Sequence, residues 1–245
     1  MIRIKSLLKK VIKKTISYNL IHENFTMDSD KEVWKNLATL GFSPHAIIDI
    51  GAARGEWTKE LINIYPSANY LLIEPLEENL SSIKSMCSEN INIRTWQGIV
   101  SSYNGECCFF VHGDQSSIFN SEFKGSSSKV NVKTLDSLLI DMNFTNADAI
   151  KLDVQGAELE ALRGADSSIK LCKVLQVEVS FRRIYENAPL AHELIKFVTD
   201  KGFRIFDITT VMKRKEDRAL LQADIFFVSD DLLFKPESWN MKNKK

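Results

Sequence analysis

From residue 46 onward, short apolar runs alternate with longer stretches in which apolar residues recur every three or four positions. The short runs predict strands at Ala46–Ile50, Tyr70–Ile73, Ile91–Trp96, Cys107–Val111, Ala149–Leu152, Val174–Glu178, Arg204–Ile208 and Ile225–Val228. Helical spacing runs through Glu56–Tyr65, Leu76–Ser88, Leu135–Met142, Glu158–Gly164 and Leu190–Lys201, with Gly164 and Gly202 placed to stop two of these helices. Parallel neighbours need crossovers of this kind. The alternation therefore predicts an α/β class domain with a doubly wound, mostly parallel sheet.

The pattern lapses in three places. Gly113 to Lys129 is rich in Ser and Gly and reads as a surface loop long enough to line a site. Residues 236–245 read as a tail. Residues 1–45 read as a helical extension ahead of a domain spanning 46–235. Within that extension Ile4, Leu7, Leu8, Val11 and Ile12 fall on one helical face, and residues 1–14 carry Arg3, Lys5, Lys9, Lys10, Lys13 and Lys14 without an acid. Lysines interrupt every apolar run, so this is no export signal. Two readings stay open: residues 1–16 lie on an anionic membrane surface, or they pack on the domain or on a second copy of the chain in a homo-oligomer.

Composition adds limits. A chain of 245 residues with 44% apolar content can build one large core without metals or disulfides. Its four cysteines show no C-x-x-C spacing, which suits a reducing, cytoplasmic setting. Basic and acidic residues both number 32, so a nucleic-acid partner is not expected.

Candidate chemistry sits at the ends of the predicted strands. In Ile47-Ile48-Asp49-Ile50-Gly51-Ala52-Ala53-Arg54-Gly55 an apolar strand enters a small-residue turn that opens a helix. Gly51 and Gly55 remove side chains where a ligand would approach the backbone. A nicotinamide-type site wants G-x-G-x-x-G there, and the third glycine is missing. Glu74, 25 positions after Asp49, ends the next strand before Pro75 and can accept bonds from both ribose hydroxyls of an adenosine. Lys151 and Asp153 end a third strand and Glu178 a fourth. The two acids could share a crevice, orienting or deprotonating a substrate hydroxyl or holding a divalent cation through oxygen. Lys151 would keep Asp153 ionised. His112, Ser116, Ser117, Tyr185, Arg182 and Arg183 are weaker candidates around the same edge.

Taken in order, these segments resemble the FkbM family of methyltransferases over roughly residues 46–228. IDIGAARGEW is similar to its cofactor loop and LLIEPLEENL to its acidic strand end. WQGIVSSYNGE is similar to its adenine-side segment, VKTLDSLL to a helix start, and KLDVQGAELEALRGA to its most distinctive stretch; VEVSFRRIYENAP and QADIFFV complete the series. The family usually has asparagine where Ala53 stands and often glutamate where Gln155 stands, so Gln155 is not expected to act as a base or a metal ligand.

The resemblance implies a Rossmann-like class I methyltransferase fold and transfer of a methyl group from S-adenosylmethionine to an acceptor oxygen, commonly on a sugar, a glycan or a glycosylated small molecule. On that reading Asp49, Gly51, Ala52 and Gly55 meet the methionine tail, Glu74 and Pro75 the ribose, and Ile99 and Val100 the adenine. Asp153, then Glu178, serves the acceptor. Surface-polysaccharide biosynthesis at the inner membrane face is one setting. A non-catalytic accessory protein that binds cofactor or glycan, and a nicotinamide-dependent oxidoreductase, are the alternatives.

Overall fold

The computed structural model describes residues 29–89, 92–111, 116–118, 126–144, 147–185 and 187–232. The amphipathic face of residues 1–16, His112, much of Gly113–Lys129 and the tail after residue 235 lie outside the described residues. Strands β1 (Ala46–Ile50), β2 (Asn69–Glu74), β3 (Ile93–Gln97), β7 (Ala149–Leu152), β8 (Val174–Ser180), β9 (Phe203–Lys213) and β10 (Leu220–Ser229) form one sheet in the order β3-β2-β1-β7-β8-β10-β9. The first five of that order run parallel, and β10 is antiparallel to both of its neighbours.

Burial explains why these runs became strands. Every residue of β1 and of β7 is buried, as expected of strands covered on both faces. Alternate residues serve opposite layers: Ile48 and Ile50 pack with Leu71, Ile73, Leu152 and Leu175, whereas Ile47 packs with Tyr70, Leu72, Ala149 and Phe226. The helices between strands complete the two layers: α2 (Glu56–Ile62), α3 (Glu77–Glu89), α4 (Leu135–Asp141), α5 (Glu158–Arg163), α6 (Asp166–Leu171) and α7 (Ala191–Asp200). Strand order reverses between β1 and β7, so a crevice opens at their carboxyl ends, where ligands of open α/β sheets bind.

Four elements escaped the sequence pattern, at Asp30–Thr39, Ile99–Val100, Ser126–Lys133 and Asp166–Leu171. Helix α1 (Asp30–Thr39) starts at a Ser29–Glu32 capping box and buries Val33, Trp34 and Leu37 against the sheet. Burial of each such side chain is worth about 1.5–3 kcal/mol. Gln176 of β8 accepts from Trp34 Nε1 at 2.9 Å and donates to Asp30 at 2.7 Å, so α1 is pinned by buried polar bonds as well. Residues ahead of 46 thus share the core of the domain. The stretch expected to be a loop ends inside β6 (Ser126–Lys133), which joins β4 (Ile99–Val100) and β5 (Gly105–Val111) in a second sheet of order β4-β6-β5. Cys107–Val111 is therefore a strand, but in this small sheet. Helix α6 follows α5 after a short break at Gly164, whose absent side chain admits the Ser101 carbonyl.

Candidate active site

At the crevice lies a cavity of about 300 Å³, within the size range of small-molecule sites. Gly51, Ala53 and Arg54 from the turn after β1 form one side, and Glu74, Pro75, Leu76 and Asn79 from the end of β2 another. Ile99 and Val100 of β4, with Phe109 of β5 and Ile118, make an apolar wall. Asp153, Val154, Gln155 and Ala157 from the turn after β7 close the far end.

Glu74 is 5% exposed and is held by its own surroundings. One carboxylate oxygen accepts from the Ala53 amide at 2.9 Å, and the other from the Leu76 amide and Asn79 Nδ2, both at 3.0 Å. Burial pushes this carboxyl above the usual glutamate value, while the bonds from Leu76, Asn79 and Ala53 pull the other way. A buried acid kept on the wall of an apolar-sided cavity suits a partner with paired hydroxyls.

Lys151 lies beneath the junction of β1 and β7. Its ammonium stands 3.4 Å from Asp49, 3.6 Å from Asp153 and 3.4 Å from the Gly51 carbonyl, and 5.8 Å from the centre of the Trp57 ring. Burial alone would favour the neutral amine, but Asp49, Asp153 and the more distant Asp224 outweigh it and hold the pKa above the usual lysine value. Asp49, fully buried, takes its second partner from Thr58 Oγ1 at 2.8 Å. Lysine and aspartate thus bind the two central strands together, and Asp153 stands beside the ammonium on the cavity.

A second acid, Glu178, stands behind Asp153. One of its oxygens accepts from Gln222 Nε2 at 2.7 Å and from Gln155 Nε2 at 3.3 Å. Burial first, then the charges of Asp153, Glu158 and Asp224, raise its pKa well above the carboxylate range, against the opposing pull of Lys151. Asp224, opposite Glu178 on β10, is pushed up to about 7, chiefly by burial. Tyr185 is buried and its hydroxyl is pushed up to about 12 by burial.

The turn joining β7 to α5 is built by Glu158. Its carboxylate folds back to accept from the Val154 and Gly156 amides at 3.0 and 3.1 Å, which fixes a turn with Gln155 at φ 52° and Gly156 at φ 98°. Burial pushes Glu158 up to about 7. Gly51, at φ 79°, receives this turn: an added Cβ would stand 1.9 Å from the Asp153 carbonyl oxygen. At Gly55, φ 81°, an added Cβ would meet Met86 Sδ at 2.8 Å.

Of the residues read from sequence, Gly51, Glu74, Pro75, Ile99, Val100 and Asp153 line one cavity. Asp49, Ala52 and Gly55 do not line it. Asp49 is turned beneath the turn toward Thr58 and Lys151, and an added side chain at Gly55 would meet Met86. Lys151 and Glu178 do not line the cavity but touch residues that do: Lys151 the Gly51 carbonyl and Asp153, Glu178 the Gln155 amide. Ser116 lines it, and Ser117 donates to the Gln155 carbonyl at 2.7 Å. Arg182 and Arg183 are exposed, with Arg183 bonded to the Ala188 carbonyl. Arg54, Asn79 and Phe109 are lining residues that the sequence reading passed over; Arg54 and Asn79 stood inside motifs already singled out. Among the described residues no group of three or more His, Cys, Asp or Glu side chains is placed to hold a metal ion, and no helix is long and apolar enough to cross a membrane.

The family model for the methyltransferase FkbM domain matches residues 49–205. No curated protein sequence matches the chain. Solved structures similar to it include precorrin-6y C5,15-methyltransferase from Geobacter metallireducens GS-15, at 13% identity and TM-score 0.45 over 84% of this chain and 94% of that one. Aeropyrum pernix fibrillarin with natively bound S-adenosyl-L-methionine is similar at 16% identity and TM-score 0.47, over 76% and 67%. Magnesium protoporphyrin IX methyltransferase from Synechocystis PCC 6803 with bound SAM follows at 13% and 0.47, over 81% and 79%.

Proposed function

Since the chain belongs to the FkbM family of S-adenosylmethionine-dependent methyltransferases, we propose that it methylates a hydroxyl oxygen of a sugar or glycan, with Asp153 as the acceptor-side base. The observation that carries this reading is one cavity with Glu74 on one wall and Asp153 on another.

The residues present fit the cofactor. Glu74 is a buried acceptor for the ribose hydroxyls, and Ile99 and Val100 offer an apolar face to adenine. Arg54, a cation on the cavity wall, suits the carboxylate of the methionine end. When bound, the cofactor supplies a methyl group on a sulfonium, already a good electrophile.

What the chain must add is alignment and a place for a proton. Asp153 accepts the proton of the acceptor hydroxyl at a carboxylate oxygen. Lys151, 3.6 Å from Asp153, holds that side chain in place by an ion pair. Phe109 and Ile118 add apolar surface to the wall that faces the adenine.

Calorimetric titration with S-adenosylhomocysteine tests the cofactor half. We expect saturable binding, weakened at least about tenfold in Glu74→Ala, a loss of roughly 1.4 kcal/mol. The acceptor half is tested by transfer of labelled methyl to neutral glycans. The expected product is an ether that survives mild alkali. Label recovered as an alkali-labile ester, or on nitrogen, would overturn the hydroxyl assignment.

A further inference from the structure

The side chain of Gln155 bonds to both acids of the acceptor side. Its Nε2 donates to Asp153 Oδ1 at 3.0 Å and to Glu178 Oε2 at 3.3 Å. Its Oε1 accepts from the Tyr185 hydroxyl at 3.3 Å, and its backbone carbonyl is held by Ser117. The left-handed backbone at φ 52°, fixed by the bonds of Glu158 to Val154 and Gly156, is what aims the side chain at that point. Two acid side chains that converge are held together by a proton on one of them, by the N–H groups of a donor, or by a cation bound through oxygen. Here the space between Asp153 and Glu178 is taken by the two N–H groups of a neutral amide.

We propose that the Gln155 amide occupies the place of a divalent cation between Asp153 and Glu178, so that Asp153 is positioned on the cavity without a metal. Gln155 is then a positioning residue. Its role rests on the reading of Asp153 as the acceptor-side base, while the bridge itself can be tested without any acceptor. Replacement of –NH₂ by –O⁻ at nearly constant shape, Gln155→Glu, would leave three converging carboxylates, an all-oxygen set suited to Mn²⁺ or Mg²⁺.

The experiment is thermal unfolding of the full chain in EDTA and in Mn²⁺, with S-adenosylhomocysteine titrations on the same samples. We expect the wild-type Tm to be unmoved by Mn²⁺. Gln155→Glu should be less stable in EDTA and rise by about 5 °C at saturating Mn²⁺. Glu178→Gln added to Gln155→Glu should abolish the rise. Gln155→Met, which keeps the volume without the amide, is a second variant and should show a smaller rise. A wild-type Tm that rises with Mn²⁺ as far as the variant's overturns the proposal, since a cation would then displace the amide. Failure of both variants to respond overturns it too, because the acids would not converge. A Gln155 that is only structural lowers Tm on substitution without any Mn²⁺ response. Loss of homologue binding by the wild type breaks the methyltransferase reading instead and leaves the Mn²⁺ result standing.

Discussion

Glu74 at the end of β2 and Glu178 near the end of β8 are strand-end carboxylates at the same edge of one sheet, yet they are secured by different means. Glu74 draws its donors from nearby chain, the amides of Ala53 and Leu76 and the side chain of Asn79. Glu178 depends on side-chain amides of Gln155 and Gln222, brought from distant segments, and it faces Asp153, Glu158 and Asp224. Backbone donors cannot move without moving the turn, so the Glu74 side, proposed to hold the cofactor, is preset. The acceptor side is set by side chains, and exchanging a single one of them can change its charge.

Gly51 joins the two sides, and substituting it should give the largest effect. In Gly51→Ala the new Cβ must displace the Asp153 carbonyl while the residue keeps φ 79°. Overpacking costs about 1–3 kcal/mol, and a left-handed alanine roughly 1–2 kcal/mol more. We expect a stability loss of about 3 kcal/mol in chemical denaturation, together with loss of S-adenosylhomocysteine binding. Gly202, at φ 87° with open space around it, isolates the backbone part: Gly202→Ala should cost about 1 kcal/mol and leave binding intact. Equal losses at the two glycines would mean that the sides are not joined through Gly51.

The second difference is one of protons. Glu158 and Asp224 are pushed up to about 7, and Glu178 is raised as well, above the ordinary values of 4.5 for glutamate and 3.8 for aspartate. An acid whose pKa is higher in the folded chain than in the unfolded one binds more protons when folded. It adds stability that is fully present below the unfolded value and is lost as pH rises through the folded value. Tm should therefore fall between about pH 4.5 and pH 7, by on the order of 5 °C. Asp224→Asn should flatten part of that fall, whereas a Tm that rises over the window would contradict the burial of these acids.

This contrast also separates what could be read from sequence. Glu74 and Asp153 were legible because a short apolar run ending in an acid is a local pattern, and β1, β2, β7 and β8 were legible for the same reason. The bridge through Gln155 and Gln222 was not, because it depends on how β8, β10 and the turn after β7 meet. Asp49 and Gly55 had the right spacing for ligand contact, but Thr58, Lys151 and Met86 claim the space around them. Strand β6 was hidden because only Val130 and Val132 in SSSKVNVK are apolar, and its pairing with β5 replaces the missing pattern. Helix α1 could have been found: Ser29 followed by Glu32 is a capping box, and Val33, Trp34 and Leu37 have helical spacing.

The smallest expected effect sharpens the contrast most narrowly. Asn79→Ala removes one of the three donors to Glu74 and leaves the amides of Ala53 and Leu76 in place. A typical hydrogen bond contributes about 0.5–1.5 kcal/mol, and the buried Glu74 oxygen it leaves keeps a backbone donor, the Leu76 amide. We expect a stability loss near 1 kcal/mol or less, and homologue binding weakened no more than about fivefold. The equivalent deletion on the other side, Gln222→Ala, leaves Glu178 with the longer bond from Gln155 among the bonds described above, so its cost should be the greater of the two. If Asn79→Ala proved the more damaging in both measurements, the cofactor side would be held by side chains after all, and the preset turn at Ala53 would lose its role.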